Sequence, residues 1–177
     1  MKKDPFVSII MPAYNASKTI KEAINSILAQ TFVKFELIIV DDGSKDATAT
    51  IIEQYRDPRI RYYRNERNMG LVNTLNRAIS LCTGDYVARM DSDDISLPQR
   101  IEKQVIFMEA HMDCVICGTF AKAFIENNDG KKNTKRVLRY EVNDTDIKKE
   151  LVFECCFAHP SVMFRRSVFL LTETRYH

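Results

Sequence analysis

Glycine is scarce in this 177-residue chain, with five residues in all. None falls in a Gly-x-Gly-x-x-Gly or Gly-x-x-x-x-Gly-Lys-Ser/Thr pattern, so the dinucleotide fingerprint and the P-loop phosphate cradle are both unsupported. Long apolar runs are missing too. None approaches the ~20 residues of a membrane span. Phe6 to Met11, after the basic start Met1-Lys2-Lys3, is too short for a signal segment and runs into a polar turn. The expected location is therefore cytoplasmic. Net charge is small at +2, which excludes an electrostatic case for a nucleic-acid partner. Cys114 and Cys117 have no second pair at zinc-ribbon spacing, and Cys155 and Cys156 are adjacent, so reduced, mostly buried thiols are expected. The chain shows no internal repeat and no low-complexity segment.

What is present is ordinary in bulk and informative in order. A hydrophobic content of 45% with 28% charged residues suits one globular domain, able to bury roughly 70% of its unfolded surface. Val7 to Met11 and Phe35 to Val40 are short runs rich in branched residues, read as strands covered on both faces. Between them, Ser17 is the expected cap of a helix with Ile20, Ala23, Ile24, Ile27 and Leu28 on one face. A helix from about Asp46 to Tyr55 follows, then an exposed strand at Arg59 to Tyr63 and a helix from Leu71 to Leu81. A strand from Tyr86 to Met90 precedes a helix opened by Pro98. Such strand–turn–helix units imply an α/β fold, a mostly parallel central sheet flanked by helices. Beyond Asp113 the pattern changes. Val115 to Ile125 reads as one long strand, Asn127 to Gly130 as a turn, Arg136 to Val142 as its return, Asp146 to Val152 as a short helix capped by Asp144 or Thr145, and Ser161 to Phe164 as a last core strand. The basic run Lys131, Lys132, Lys135, Arg136 and Arg139 is a solvated loop, with peripheral contact to an anionic membrane surface as its second reading.

The chemistry concentrates at Asp91-Ser92-Asp93-Asp94, three carboxylates in four residues directly after a strand. Carboxylates this close repel one another unless a cation or strong donors lie between them. Mg²⁺ and Mn²⁺ sites typically use one or two carboxylates plus substrate phosphates. In open parallel sheets, ligands bind beyond the carboxyl ends of the strands. Three polar clusters fall at such ends: Pro12-Ala13-Tyr14-Asn15, Asp41-Asp42-Gly43-Ser44 and the Asp91 tetrapeptide.

These segments resemble the family 2 glycosyltransferases. The resemblance runs in order through Val7 to Asn15, Ser26 to Phe32, Glu36 to Asp46, Asn68-Met69-Gly70-Leu71, Gly84 to Val87, Asp91-Ser92-Asp93 and Pro98-x-Arg100. His159 to Arg165 adds a weaker match. It implies a GT-A fold in a single domain over 1–177, with a donor half at 6–112 and part of an acceptor half at 113–177. It also implies inverting transfer of a sugar from a nucleotide-diphosphate sugar, a UDP-sugar by preference, to a glycan or lipid-linked acceptor, assisted by Mn²⁺ or Mg²⁺. Carried over by position, Pro12, Ala13, Tyr14 and Asn15 line the nucleoside pocket, and Asp41 accepts from the base edge. Asn68, Gly70 and Ser92 border the donor. Asp91 lies near ribose and metal, and Asp93 holds the metal on the diphosphate as the catalytic carboxylate. His159 is a further metal-ligand candidate, and Asp94 faces away or caps the next turn.

Two departures stand out. Where many members carry an arginine after the Asn-x-Gly loop, this chain reads Asn73-Thr74-Leu75-Asn76. The family's general base lies in an acidic motif well after the His-Pro-Ser strand, whereas Glu173 is the only acidic residue beyond Glu154. The expectation is a C-terminally truncated member, and a donor-binding fragment with little turnover is the alternative. A receiver-type signalling domain is the rival from another class. It would leave Val7 to Gln30 unexplained and lacks a well-placed lysine.

Overall fold

The computed structural model describes residues 6–127, 132–150, 156–171 and 176. Its strands are β1 (Val7–Ala13), β2 (Phe35–Asp41), β3 (Ile60–Arg64), β4 (Tyr86–Arg89), β5 (Ile116–Cys117), β6 (Ala121–Glu126), β7 (Lys132–Leu138) and β8 (Met163–Arg165). Its helices are α1 (Ile20–Leu28), α2 (Thr48–Ile52), α3 (Leu71–Ser80), α4 (Arg100–Ala110), α5 (Asp144–Glu150) and α6 (Ser167–Leu171). The main sheet has the order β3-β2-β1-β4-β8-β5. Its first four strands are parallel, and β8 runs antiparallel to both β4 and β5. β6 and β7 form a separate antiparallel pair.

Every residue of β1 and β2 is buried, as a strand with helices on both faces requires. Side chains alternate between two cores. Val7, Ile9 and Met11 join Leu37 and Ile39 against α1, α2 and α4. Ile10, Ile38, Val40 and Val87 pack against Leu75 and Ile79 of α3 and Phe169 of α6. At the amino end of the sheet lies a polar knot. Glu36 accepts hydrogen bonds from the Ser8 hydroxyl at 2.6 Å, from the Thr83 amide at 2.9 Å and from Arg61 at 2.5 Å. Burial pushes the Glu36 carboxyl up, but these donors outweigh it and hold it below its ordinary range.

Several elements differ from the sequence expectation. Ser17 does not cap α1. Its amide donates to Asp46 at 3.0 Å instead, and Thr19 occupies the cap position without a side-chain capping bond. Asn143, rather than Asp144 or Thr145, caps α5: its Oδ1 accepts from the Asp146 amide at 2.9 Å, as an N-cap side chain does, and its Nδ2 donates to the Asp146 carboxylate. The single strand expected over 115–125 is broken into β5 and β6. The break centres on Gly118, where a Cβ would sit 2.7 Å from the Phe157 ring. Next to it, Thr119 exchanges hydrogen bonds with the Ser161 hydroxyl. The return strand β7 starts earlier than expected, with Glu126 opposite Lys132. The turn at 128–130, residues 151–152 of the expected helix and Cys155 lie outside the described residues. Cys82, Cys114, Cys117 and Cys156 are free thiols. Among the described residues, no helix is long and apolar enough to cross a membrane.

Candidate functional site

The carboxyl ends of β1, β2 and β4 open into a cleft of about 280 Å³. Pro12, Ala13 and Tyr14 form one wall, and Asp42, Asn68, Gly70, Leu71 and Thr74 form another. Asp91, Ser92 and Asp93 complete it. Parallel register brings these turns together: Ala13 pairs with Asp41, the Asp42 amide donates to the Ala13 carbonyl at 2.8 Å, and the Met90 amide donates to the Ile10 carbonyl at 3.0 Å. The Tyr14 ring is 44% exposed on the cleft wall, which leaves an aromatic face for a flat partner.

Asn15 does not line the cleft. It adopts a positive φ of 49°, a conformation asparagine tolerates better than most residues. Its amide donates to the Ser44 hydroxyl and its side-chain oxygen accepts from the Lys45 amide, both at 2.9 Å. It therefore clasps two rim turns together. Gly43 completes the second turn at φ 70°, where a Cβ would come 2.7 Å from the Arg67 backbone.

The two adjacent aspartates have divided roles. Asp41 is fully buried and absent from the cleft wall. It accepts from the Ser44 amide at 2.9 Å and the Tyr62 hydroxyl at 3.2 Å, and Arg64 lies 3.3 Å away. The structure therefore removes Asp41 from the candidate ligand contacts and makes it the brace of the turn. Asp42 takes the wall. It accepts from Asn65 at 2.6 Å and from the Met69 and Gly70 amides at 2.8 and 2.9 Å, so it also ties down the 65–70 loop. Burial raises its carboxyl, yet Asn65, Met69, Thr74 and Gly70 together hold it below the ordinary carboxylate range. A carboxylate has about four lone-pair positions. The four donors fix its orientation at the cleft wall.

At the third turn, Arg89 of β4 forks onto Asp91, with Nε donating at 2.9 Å and Nη2 at 3.1 Å. Asp93 is exposed at the cleft. Asp94 is half-buried and off the wall; burial and then the charges of Asp93 and Asp91 push its carboxyl up to about 6. Behind the turn, Arg100 is buried. It donates to the Arg89 carbonyl at 2.7 Å and to Gln104 at 3.1 Å, and burial lowers it to about 10. His159 sits exposed in a short 3₁₀ turn and is not part of the wall. Among the described residues, no three His, Cys, Asp or Glu side chains are grouped to hold a metal. The donor set suits a hard divalent cation held by one free carboxylate, Asp93, and by phosphate oxygens from a ligand.

Sequence reasoning missed Leu71, Thr74 and Asp42 as wall residues and Arg89 as the partner of Asp91. Arg89 carried a visible signal, a cation inside an otherwise apolar strand two residues from a carboxylate.

Known proteins resemble this chain in sequence and in fold. The chain is 44% identical over 129 residues to EpsE of Bacillus subtilis (strain 168), a protein named for glycosyl transfer, across 71% of this chain and 46% of that one. It is 40% identical over 105 residues to the Escherichia coli UDP-Glc:alpha-D-GlcNAc-diphosphoundecaprenol beta-1,3-glucosyltransferase WfgD, across 59% of this chain and 42% of that one. The fold matches crystalline S. aureus TarS 1–349 with a TM-score of 0.71 at 23% identity, covering 97% of this chain and 50% of that one. The chain thus spans about half the length of the relatives it matches. The description "Glycosyl transferase family 2" fits residues 8–170; the chain belongs to that family.

Proposed function

We propose that this chain binds a nucleotide-diphosphate sugar, by preference a UDP-sugar, and serves its transfer to a glycan or lipid-linked acceptor. The observation that carries the reading is the meeting of Tyr14, Asp42 and the Asp91–Asp93 turn in one cleft at the carboxyl ends of parallel strands. Tyr14 offers its ring to the base, and Asp42 on the cleft wall offers its carboxylate to a base N–H. Asp91 faces the ribose. Asp93 holds a divalent cation, Mn²⁺ or Mg²⁺, which when bound stabilises negative charge on the departing diphosphate. Transfer proceeds with inversion: an acceptor oxygen loses its proton to a base and bonds to the anomeric carbon as the sugar–phosphate bond breaks, and the electron pair leaves with the nucleoside diphosphate. The name of WfgD supports a UDP donor and a diphospholipid acceptor, since 59% of this chain is 40% identical to it. A lipid acceptor suits work at the cytoplasmic face of a membrane, and exposed Lys135, Arg136 and Arg139 near β7 would meet an anionic surface.

Calorimetric titration with a panel of nucleotide-sugars, with and without Mn²⁺, tests the assignment. UDP-sugars are expected to bind in a Mn²⁺-dependent manner, and Asp93→Ala to abolish that dependence. Equal binding of UDP and Mn²⁺ by the parent and Asp93→Ala would sink it.

A further inference from the structure

Arg89 is a buried arginine, 5% exposed, in the last position of the strand that delivers the acidic turn. Four contacts fix it. Its amide donates to the Val162 carbonyl at 2.9 Å, and its carbonyl accepts from Arg100 at 2.7 Å. Its guanidinium forks onto both oxygens of Asp91 and lies 5.9 Å from the centre of the Tyr176 ring. Tyr176 is itself held to α3 by a paired clamp: the Asn76 amide group donates to the Tyr176 carbonyl at 3.1 Å and accepts from the Tyr176 amide at 2.9 Å.

We propose that Arg89 is a positioning residue of the donor site. It holds Asp91 in one orientation and cancels its charge, leaving Asp93 as the carboxylate offered to the cation, and Tyr176 locks Arg89 in that pose from α3. The inference rests on the donor-site reading above. A bidentate guanidinium–carboxylate pair fixes direction as well as charge. With both Asp91 oxygens engaged, the turn does not gather cations by itself, and metal binding becomes dependent on a nucleotide that brings phosphate oxygens. The contacts that fix Arg89 come from Asp91, Arg100 of α4, Val162 and Tyr176, all remote in sequence but the first.

The test uses Arg89→Gln, Arg89→Lys and Tyr176→Leu in the full chain, with two readouts by calorimetry: Mn²⁺ alone, and UDP in saturating Mn²⁺. Arg89→Gln should bind Mn²⁺ alone more tightly, because Asp91 is released, while UDP affinity falls. Supporting contacts of this kind typically change affinity by about 10–100-fold. Arg89→Lys keeps the charge without the fork, so Mn²⁺ affinity should return to the parent value while UDP affinity recovers only in part. Tyr176→Leu should move both readouts in the directions of Arg89→Gln by a smaller factor, and it serves if Arg89→Gln does not fold. A merely structural role would weaken both ligands together. That result, or parent-like values in Arg89→Gln and Tyr176→Leu, overturns the inference. Failure of the parent to bind UDP with Mn²⁺ would instead overturn the donor-site reading, and the Mn²⁺-alone comparison would still decide the role of Arg89.

Discussion

Asp41 and Asp42 are chemically identical neighbours with opposite tasks. β2 carries Asp41 into the protein, where a backbone amide, a phenol and a guanidinium hold it. One residue later the strand has ended and the carboxylate meets the cleft. Asp41→Asn is expected to lower the unfolding free energy in a urea titration by about 1.5–3 kcal/mol, the worth of a hydrogen bond to a charged group, and to leave UDP binding in place. Asp42→Asn should cost UDP affinity about tenfold, which equals ~1.4 kcal/mol. Equal UDP affinities in the two variants would cancel the division of roles. The motif locates the pair in the sequence, but nothing in the letters says which of them turns inward. That is decided where the strand stops. Arg89 was legible only in retrospect, because the eye reads the surrounding Tyr86 to Met90 as apolar.

At the scale of elements, β1, β2, β4, α1 and α3 follow from local periodicity to within a few residues. Their signal is repeated burial, and the apolar pattern records it directly. The region after α4 was less legible. The break between β5 and β6 depends on Phe157 and Ser161, which are remote in sequence, and a run of apolar residues does not register a remote ring. The Glu36 knot belongs to the same scale, since it joins the starts of β1 and β2 to the turn before β4. Its carboxyl titrates below the ordinary 4.5 in the folded chain. The knot therefore contributes its full stabilisation above about pH 4.5, and that contribution fades as the pH falls through the folded value. Thermal melts of Glu36→Gln and the parent should differ at neutral pH and converge as the pH drops below 4.5. A constant gap down to strongly acid pH would refute the linkage.

For the whole molecule, a mostly parallel sheet and the family were both readable, because strand–turn–helix units repeat and several short motifs occur in order at strand ends; the strand order was not. The position of β8 was not readable. A ligand that bridges the three rim turns stabilises the entire sheet. Under the donor-site reading, UDP with Mn²⁺ at 100 times its dissociation constant should add about 2.7 kcal/mol, and raise the melting temperature by about 5–10 °C in a chain of this size. Scanning calorimetry of the parent should show that shift, and Asp93→Ala should lose most of it.

The insertion of β8 between β4 and β5 also sets a timetable. β4 lies at the middle of the chain, yet one of its edges pairs with residues 163–165. During synthesis, β1 to β4 can assemble long before that partner emerges. Throughout this interval the growing chain presents an open strand edge beside the acidic turn. Unpaired edges of this kind recruit other strands. Slower synthesis of the stretch from α4 to β8 lengthens that exposure, and faster synthesis shortens it.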